Sequence, residues 1–125
     1  MKKGAGDLQH KILSYWWEQT GDMDMILTFV SENGMVTLDR YSTFRGFDGK
    51  RGVGLCQMYE TWHSDFIYKN GNKSEGFSDD MLDWKKQSDR CIGIWRDAKA
   101  RNRIQQTFHA FATRERARNV LIFNF

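Results

Sequence analysis

The sequence predicts an α+β fold, mainly α, with a small β-hairpin after the second helix. Apolar residues recur at helical intervals in several separate stretches, whereas β-like pieces occur only between residues 35 and 58 and are short. The composition is that of a globular chain rather than a disordered one, with a 40% hydrophobic and a 28% charged share. Its 125 residues leave room for a single domain over 1–125, large enough for a core that needs no metal. There is no Pro, so turns fall to the 11 Gly and to Asn and Asp, and Gly46, Gly49, Gly52 and Gly54 crowd into one short segment.

The first helix is expected over residues 7–19. Leu8, Ile12, Tyr15 and Trp16 form its apolar face, Asp7 is placed to cap it and Gly21 to stop it. A second begins near Asp22, with Met23, Ile26, Leu27 and Val30 as its stripe and Gly34 as its left-handed stop. Glu32 falls in its last turn, just beyond the Met25/Phe29 edge of the apolar arc. There a carboxylate meets both the unfavourable end of the helix dipole and the border of the core. Val36-Thr37-Leu38 and Tyr41 to Phe44 read as the hairpin strands, followed by the Gly-rich loop. Residues 69–78 form a polar connection. A third helix starts at Ser78, Phe77 stapling against Leu82, and its face runs Met81, Trp84, Ser88, Cys91, Ile92, Trp95, with a bend expected at Gly93. A fourth carries Ile104, Phe108, Phe111 and Ala112, and residues 120–123 end the chain as a strand or docked tail.

The net charge of +3 is uneven: residues 1–65 hold 7 basic and 9 acidic side chains, residues 66–125 hold 12 and 7. Seven basic residues fall within 96–118, a flank suited to an anionic partner. No apolar run approaches the ~18 residues of a membrane span, and no signal peptide is visible after Met1-Lys2-Lys3. Cys56 and Cys91 are too few for a disulfide framework; two buried thiols are the expectation, and pairing in an oxidising compartment is the alternative. The glycines match neither a phosphate-binding loop nor a dinucleotide fingerprint, and the three His and two Cys show no metal-ligand spacing. No cofactor or metal is therefore expected.

One combination of residues carries chemistry. A helix ends in Ser31-Glu32-Asn33-Gly34, a hairpin-sized stretch follows, and Gly52-Val53-Gly54-Leu55-Cys56-Gln57 comes next, with Gln57 25 positions after Glu32. This resembles the lysozyme superfamily, in particular goose-type lysozymes and soluble lytic transglycosylases. In those families a catalytic Glu closes a helix before Ser, and a Gly-Leu-Met-Gln run follows a hairpin. Here Asn33 stands for the Ser and Cys56 for the Met. Tyr59 stands where such enzymes often carry an Asp, and their closing Tyr-Asn pattern is not found.

The resemblance implies a lysozyme-like domain that cleaves the β-1,4 bond between MurNAc and GlcNAc in peptidoglycan, as a muramidase or a lytic transglycosylase. Glu32 would be the general acid. Asp48, nine positions before Gln57, matches an Asp that positions water in goose-type enzymes, and Asp39 is the fallback. Gly54 and Gln57 would shape the saccharide floor, and Tyr59 and Trp62 would stack on sugar rings. The partner is then the glycan strand, met by a monomer in the cell wall, periplasm or extracellular space, or by a phage-encoded enzyme. Inverting catalysis needs two carboxyl groups about 6.5–9.5 Å apart, and retaining catalysis about 5–5.5 Å. A transglycosylase needs the single Glu. Two other readings stand beside this one: a catalytically silent glycan-binding domain, and a small basic nucleic-acid-binding protein using residues 96–118.

Overall fold

The computed structural model describes residues 5–108. Its elements are α1 (Ala5–Thr20), α2 (Met23–Asn33), β1 (Gly52–Val53), β2 (Met58–Tyr59), α3 (Glu60–Ile67), α4 (Asp79–Leu82), α5 (Trp84–Ala100) and α6 (Ile104–Thr107). The architecture is mainly helical with one two-stranded antiparallel sheet, as the apolar spacing predicts.

The core forms around α2, which is buried on every side from Met25 to Val30. Met23, assigned to its apolar stripe, instead lies half exposed, because burial of the helix begins only at Met25 and its first residues, Met23 and Asp24, face solvent. Asp22 caps it, accepting the Met25 N–H at 3.2 Å, and Gly34 ends it at φ +59°. α1 and α5 pack against each other, and α1 also packs on α2. Phe29 meets Trp16 edge-on at 5.1 Å between centroids and lies 5.5 Å from Phe108. The polar tip of Trp16 donates to buried Ser88 on α5 at 3.0 Å, which explains a Ser within an apolar face.

Four expectations are corrected. The sheet does not lie in residues 36–44: it pairs Gly52 with Tyr59 and Val53 with Met58, and only Tyr41 of the earlier segment joins, bridging Val53. The excursion between Tyr41 and Gly52 returns upon itself, through Ser42 N–H to Gly52 C=O (2.8 Å) and Gly46 N–H to Lys50 C=O (2.8 Å), without a continuous ladder. The third expected helix is two, because Asp83 accepts the Lys85 and Lys86 N–H groups and starts α5 afresh; α5 then runs through Gly93. Phe77 stacks on Tyr68 and Tyr41, not on Leu82, which is half exposed. Finally, Cys56 and Cys91 form a disulfide with Cα atoms 5.9 Å apart, so they are not two buried thiols. The expected features at Phe111, Ala112 and residues 120–123 lie outside the described residues.

No helix among the described residues is long and apolar enough to cross a membrane.

Candidate active site

The end of α2 and the turn between β1 and β2 are fastened together by Asn33. This side chain is fully buried, and its Nδ2 donates to Thr37 C=O at 2.6 Å and to Gly54 C=O at 2.7 Å. Glu32, its neighbour, is thereby held beside Gly54-Leu55-Cys56-Gln57. Arg40 adds a bond from Nη1 to Asn33 C=O at 2.6 Å, tying the chain that leaves the helix back to its last turn. Between these anchors Val36 is buried at φ +57°, a backbone conformation that costs a β-branched residue about 1–2 kcal/mol.

The turn itself is tightly determined. Gln57 N–H bonds to Gly54 C=O at 3.1 Å, and Gln57, at φ +55°, folds its side chain back so that Nε2 reaches Gly54 C=O and Arg40 C=O, both at 3.0 Å. Behind the turn lies Gln87 of α5, fully buried. Its Oε1 accepts Leu55 N–H at 2.6 Å, and its Nε2 donates to Met81 C=O at 2.7 Å. The Cys56–Cys91 disulfide fixes the same turn to the same helix. Glycine is required at 54 by this packing: a Cβ there would lie 2.1 Å from Gln87 Oε1, and φ is +85°. That requirement comes from the protein interior rather than from a sugar ring.

A cleft of about 720 Å³ opens in front of these elements. Glu32, Gln57, Tyr59 and Trp62, four of the residues singled out in the sequence, all line it, together with Gly46 and Gly52 from the glycine cluster. Gly46 makes room there for Tyr59, since with the ring as it lies a Cβ would fall 1.8 Å from the phenol oxygen. Trp62 is 74% exposed and Phe44, on the opposite excursion, 85%. Gly54 is buried and is not among the residues that line the cleft.

Asp48 does not share that cleft. It lines a neighbouring depression with Glu60, Thr61 and Lys73. Its carboxylate accepts hydrogen bonds from the Thr61 and Tyr59 hydroxyls and from Lys50 N–H (3.1 Å). These bonds, that of Thr61 foremost, hold its pKa down at about 2, and the bond to Asp48 raises the Tyr59 phenol. Asp48 is thus a fixed anion that positions Tyr59 on the cleft wall. Asp39 is exposed and lines neither space.

Sequence reasoning missed several residues. His63 lines the cleft, and its Nδ1 is 3.2 Å from Arg90 Nη2. Burial first, and then the Arg90 charge, lower its pKa, leaving a neutral imidazole whose Nδ1 accepts from the guanidinium. Glu60 is 3% exposed and receives Arg51 N–H (2.8 Å), Tyr68 Oη (2.6 Å) and Lys73 Nζ (3.2 Å). Burial raises its pKa, but these donors together outweigh that and keep it below the usual value. Arg45 and Lys50 stand on the cleft wall. Among the lining residues described, Glu32 is the one carboxylate.

In the described part of the basic flank two cations are ion-paired and one is hydrogen-bonded to a neutral carbonyl. Arg96 donates to Gln19 C=O at 2.9 Å, Lys99 pairs with Asp22 at 3.4 Å and Arg101 with Asp97 at 3.1 Å. Residues 109–118 lie outside the described region.

Comparisons of the chain with protein-family models, with curated proteins and with solved structures return no match.

Proposed function

We propose that this chain is a peptidoglycan-cleaving glycosidase with Glu32 as its general acid. The observation that supports this best is the joining of Glu32, at the end of a buried helix, to the Gly54–Gln57 turn through Asn33, with both facing one aromatic-walled cleft. Glycosidic cleavage needs a carboxylic acid still protonated near neutral pH. A helix C-terminus disfavours the ionised form of a carboxyl group in its last turn, in the sense such an acid requires.

With Glu32 the one carboxylate in the described lining, the route is a single-carboxylate one. Glu32 donates its proton to the glycosidic oxygen as the C1–O bond breaks, and the leaving sugar departs as an alcohol. The Glu32 carboxylate then takes the proton from the 6-hydroxyl of the remaining sugar while that oxygen bonds to C1. The acid is regenerated and the product is a 1,6-anhydro sugar, with no water consumed. Hydrolysis would instead place water at C1. In that case the base would be Glu32 or a group beyond those described, since Asp48 is committed to Tyr59 and Thr61 in the neighbouring depression. Phe44 and Trp62 supply exposed ring faces for sugar stacking.

The test is mass spectrometry of the soluble material released from purified sacculi. Anhydro ends establish the transglycosylase, and reducing ends a muramidase. Binding to sacculi without any released product would overturn catalysis in favour of a silent glycan-binding domain.

A further inference from the structure

We propose that Arg45 and Lys50 form an anion-reading wall of the Glu32 cleft, so that the preferred glycan is one bearing carboxylates. This rests on the reading of the cleft as a glycan site and specifies what that site selects. Both residues line the cleft and both are exposed. They flank one turn, closed by Gly46 N–H to Lys50 C=O at 2.8 Å and by Gly49 N–H to Gly46 C=O at 3.0 Å, so the two cations rise from adjacent positions on the wall.

Among the described residues neither is paired with a carboxylate. Arg45 donates from Nη1 to a neutral acceptor, Gly49 C=O, at 3.1 Å, which leaves most of its planar donor fork open. Among the described residues, the carboxylate ion pairs are made by Lys73, Lys86, Lys99 and Arg101, and none by Arg45 or Lys50. The acid nearest them in sequence, Asp48, is held by Tyr59, Thr61 and the Lys50 N–H in the neighbouring depression, and Lys50 stands on the rim that this depression shares with the cleft. A cleft whose described lining holds one carboxylate and two cations with no carboxylate partner among the described residues, beside exposed Phe44 and Trp62, suits a ligand with both apolar ring faces and negative charge. Arg45 offers the bidentate geometry that matches a carboxylate, and Lys50 adds a point charge.

The experiment measures sedimentation of the full chain with insoluble sacculi, either intact or with their carboxylates converted to neutral amides. A Glu32→Gln background keeps the sacculi from dissolving. The expected result is binding to intact sacculi at least about tenfold tighter than to amidated sacculi at low salt, a preference that shrinks as salt is added. Arg45→Gln/Lys50→Gln in the same background binds both at the amidated level, with an unchanged thermal midpoint because both side chains are exposed. Equal binding of the parent to both preparations, no binding to either, or a preference that survives the double substitution overturns the proposal. The two readings fail separately. A wild-type chain that prefers intact sacculi yet releases no fragments defeats the catalytic reading alone. One that cleaves both preparations with equal KM defeats the anion wall alone.

Discussion

Replacing Asn33 by Ala probes the fastening between the Glu32 helix and the Gly54–Gln57 turn. Three side-chain hydrogen bonds are lost: a long one from Thr37 Oγ1 to Asn33 Oδ1 at 3.5 Å, and the two donated by Nδ2, which are not equivalent. Thr37 C=O has no other donor among the described residues, so its partly buried oxygen is stranded at about 1–3 kcal/mol. Gly54 C=O keeps Gln57 N–H at 3.1 Å and Gln57 Nε2 at 3.0 Å, so losing the Asn33 bond there costs only about 0.5–1.5 kcal/mol. The expected loss is about 2–4 kcal/mol, read as a fall in the denaturant midpoint at unchanged slope. The loop at Val36, whose positive φ is held in place by the same bonds, should gain amide exchange. Asn33→Asp keeps the volume but aims an oxygen at two carbonyls, and should be worse than Ala at pH 7. A loss below about 1 kcal/mol for Ala, with Val36 exchange unchanged, would refute the assignment of Asn33 as the fastener.

Three further outcomes follow from the same framework. Reducing the Cys56–Cys91 bond, which closes a loop of 35 residues, should cost about 4 kcal/mol on the chain-entropy scale; a denaturation midpoint indifferent to reductant would contradict the pairing. Gly54→Ala, whose Cβ would lie 2.1 Å from Gln87 Oε1 and 2.7 Å from Met81 Cε, should lose about 2–4 kcal/mol, whereas Gly49→Ala, with open space around it, should lose about 1 kcal/mol for its positive φ alone; equal losses would argue against that packing. Asp48, its folded pKa held at about 2 against an unfolded value of 3.8, contributes stability that is complete above the unfolded value and fades as pH falls toward the folded one; Asp48→Asn should flatten that acid limb of the stability profile while leaving cleavage intact, and abolished cleavage would return Asp48 to a chemical role.

The helices α1, α2 and α5 were legible in the sequence because each places apolar side chains at helical spacing against the core. Glu32, Gln57, Tyr59 and Trp62 could likewise be gathered from residue type and order, and the cleft brings them together. What was not legible depends on long-range partners. α3 buries only Glu60 and Ile67, too few for a stripe to show. The sheet has two residues per strand, and its place is set by the bridge to Tyr41 and the Gly54–Gln57 turn rather than by β propensity. Asn33, Gln87 and Ser88 are buried polar residues whose partners lie up to 72 positions away, so nothing local marks them as structural. The pairing of Cys56 with Cys91 is of the same kind, since two thiols 35 residues apart do not announce that a turn and a helix will meet. The glycine cluster was visible, but its purpose was not: Gly46 and Gly54 make room for Tyr59 and Gln87.

The central claim is that Glu32 supplies the proton that breaks a glycosidic bond. Its most direct test is release of soluble fragments from purified sacculi by the wild-type chain and by Glu32→Gln, side by side, with both shown by circular dichroism and thermal midpoint to be equally folded. Fragments are expected from the wild type, with a loss of at least about a hundredfold in the Gln variant, the scale of a general acid. Equal release by the two proteins would contradict it.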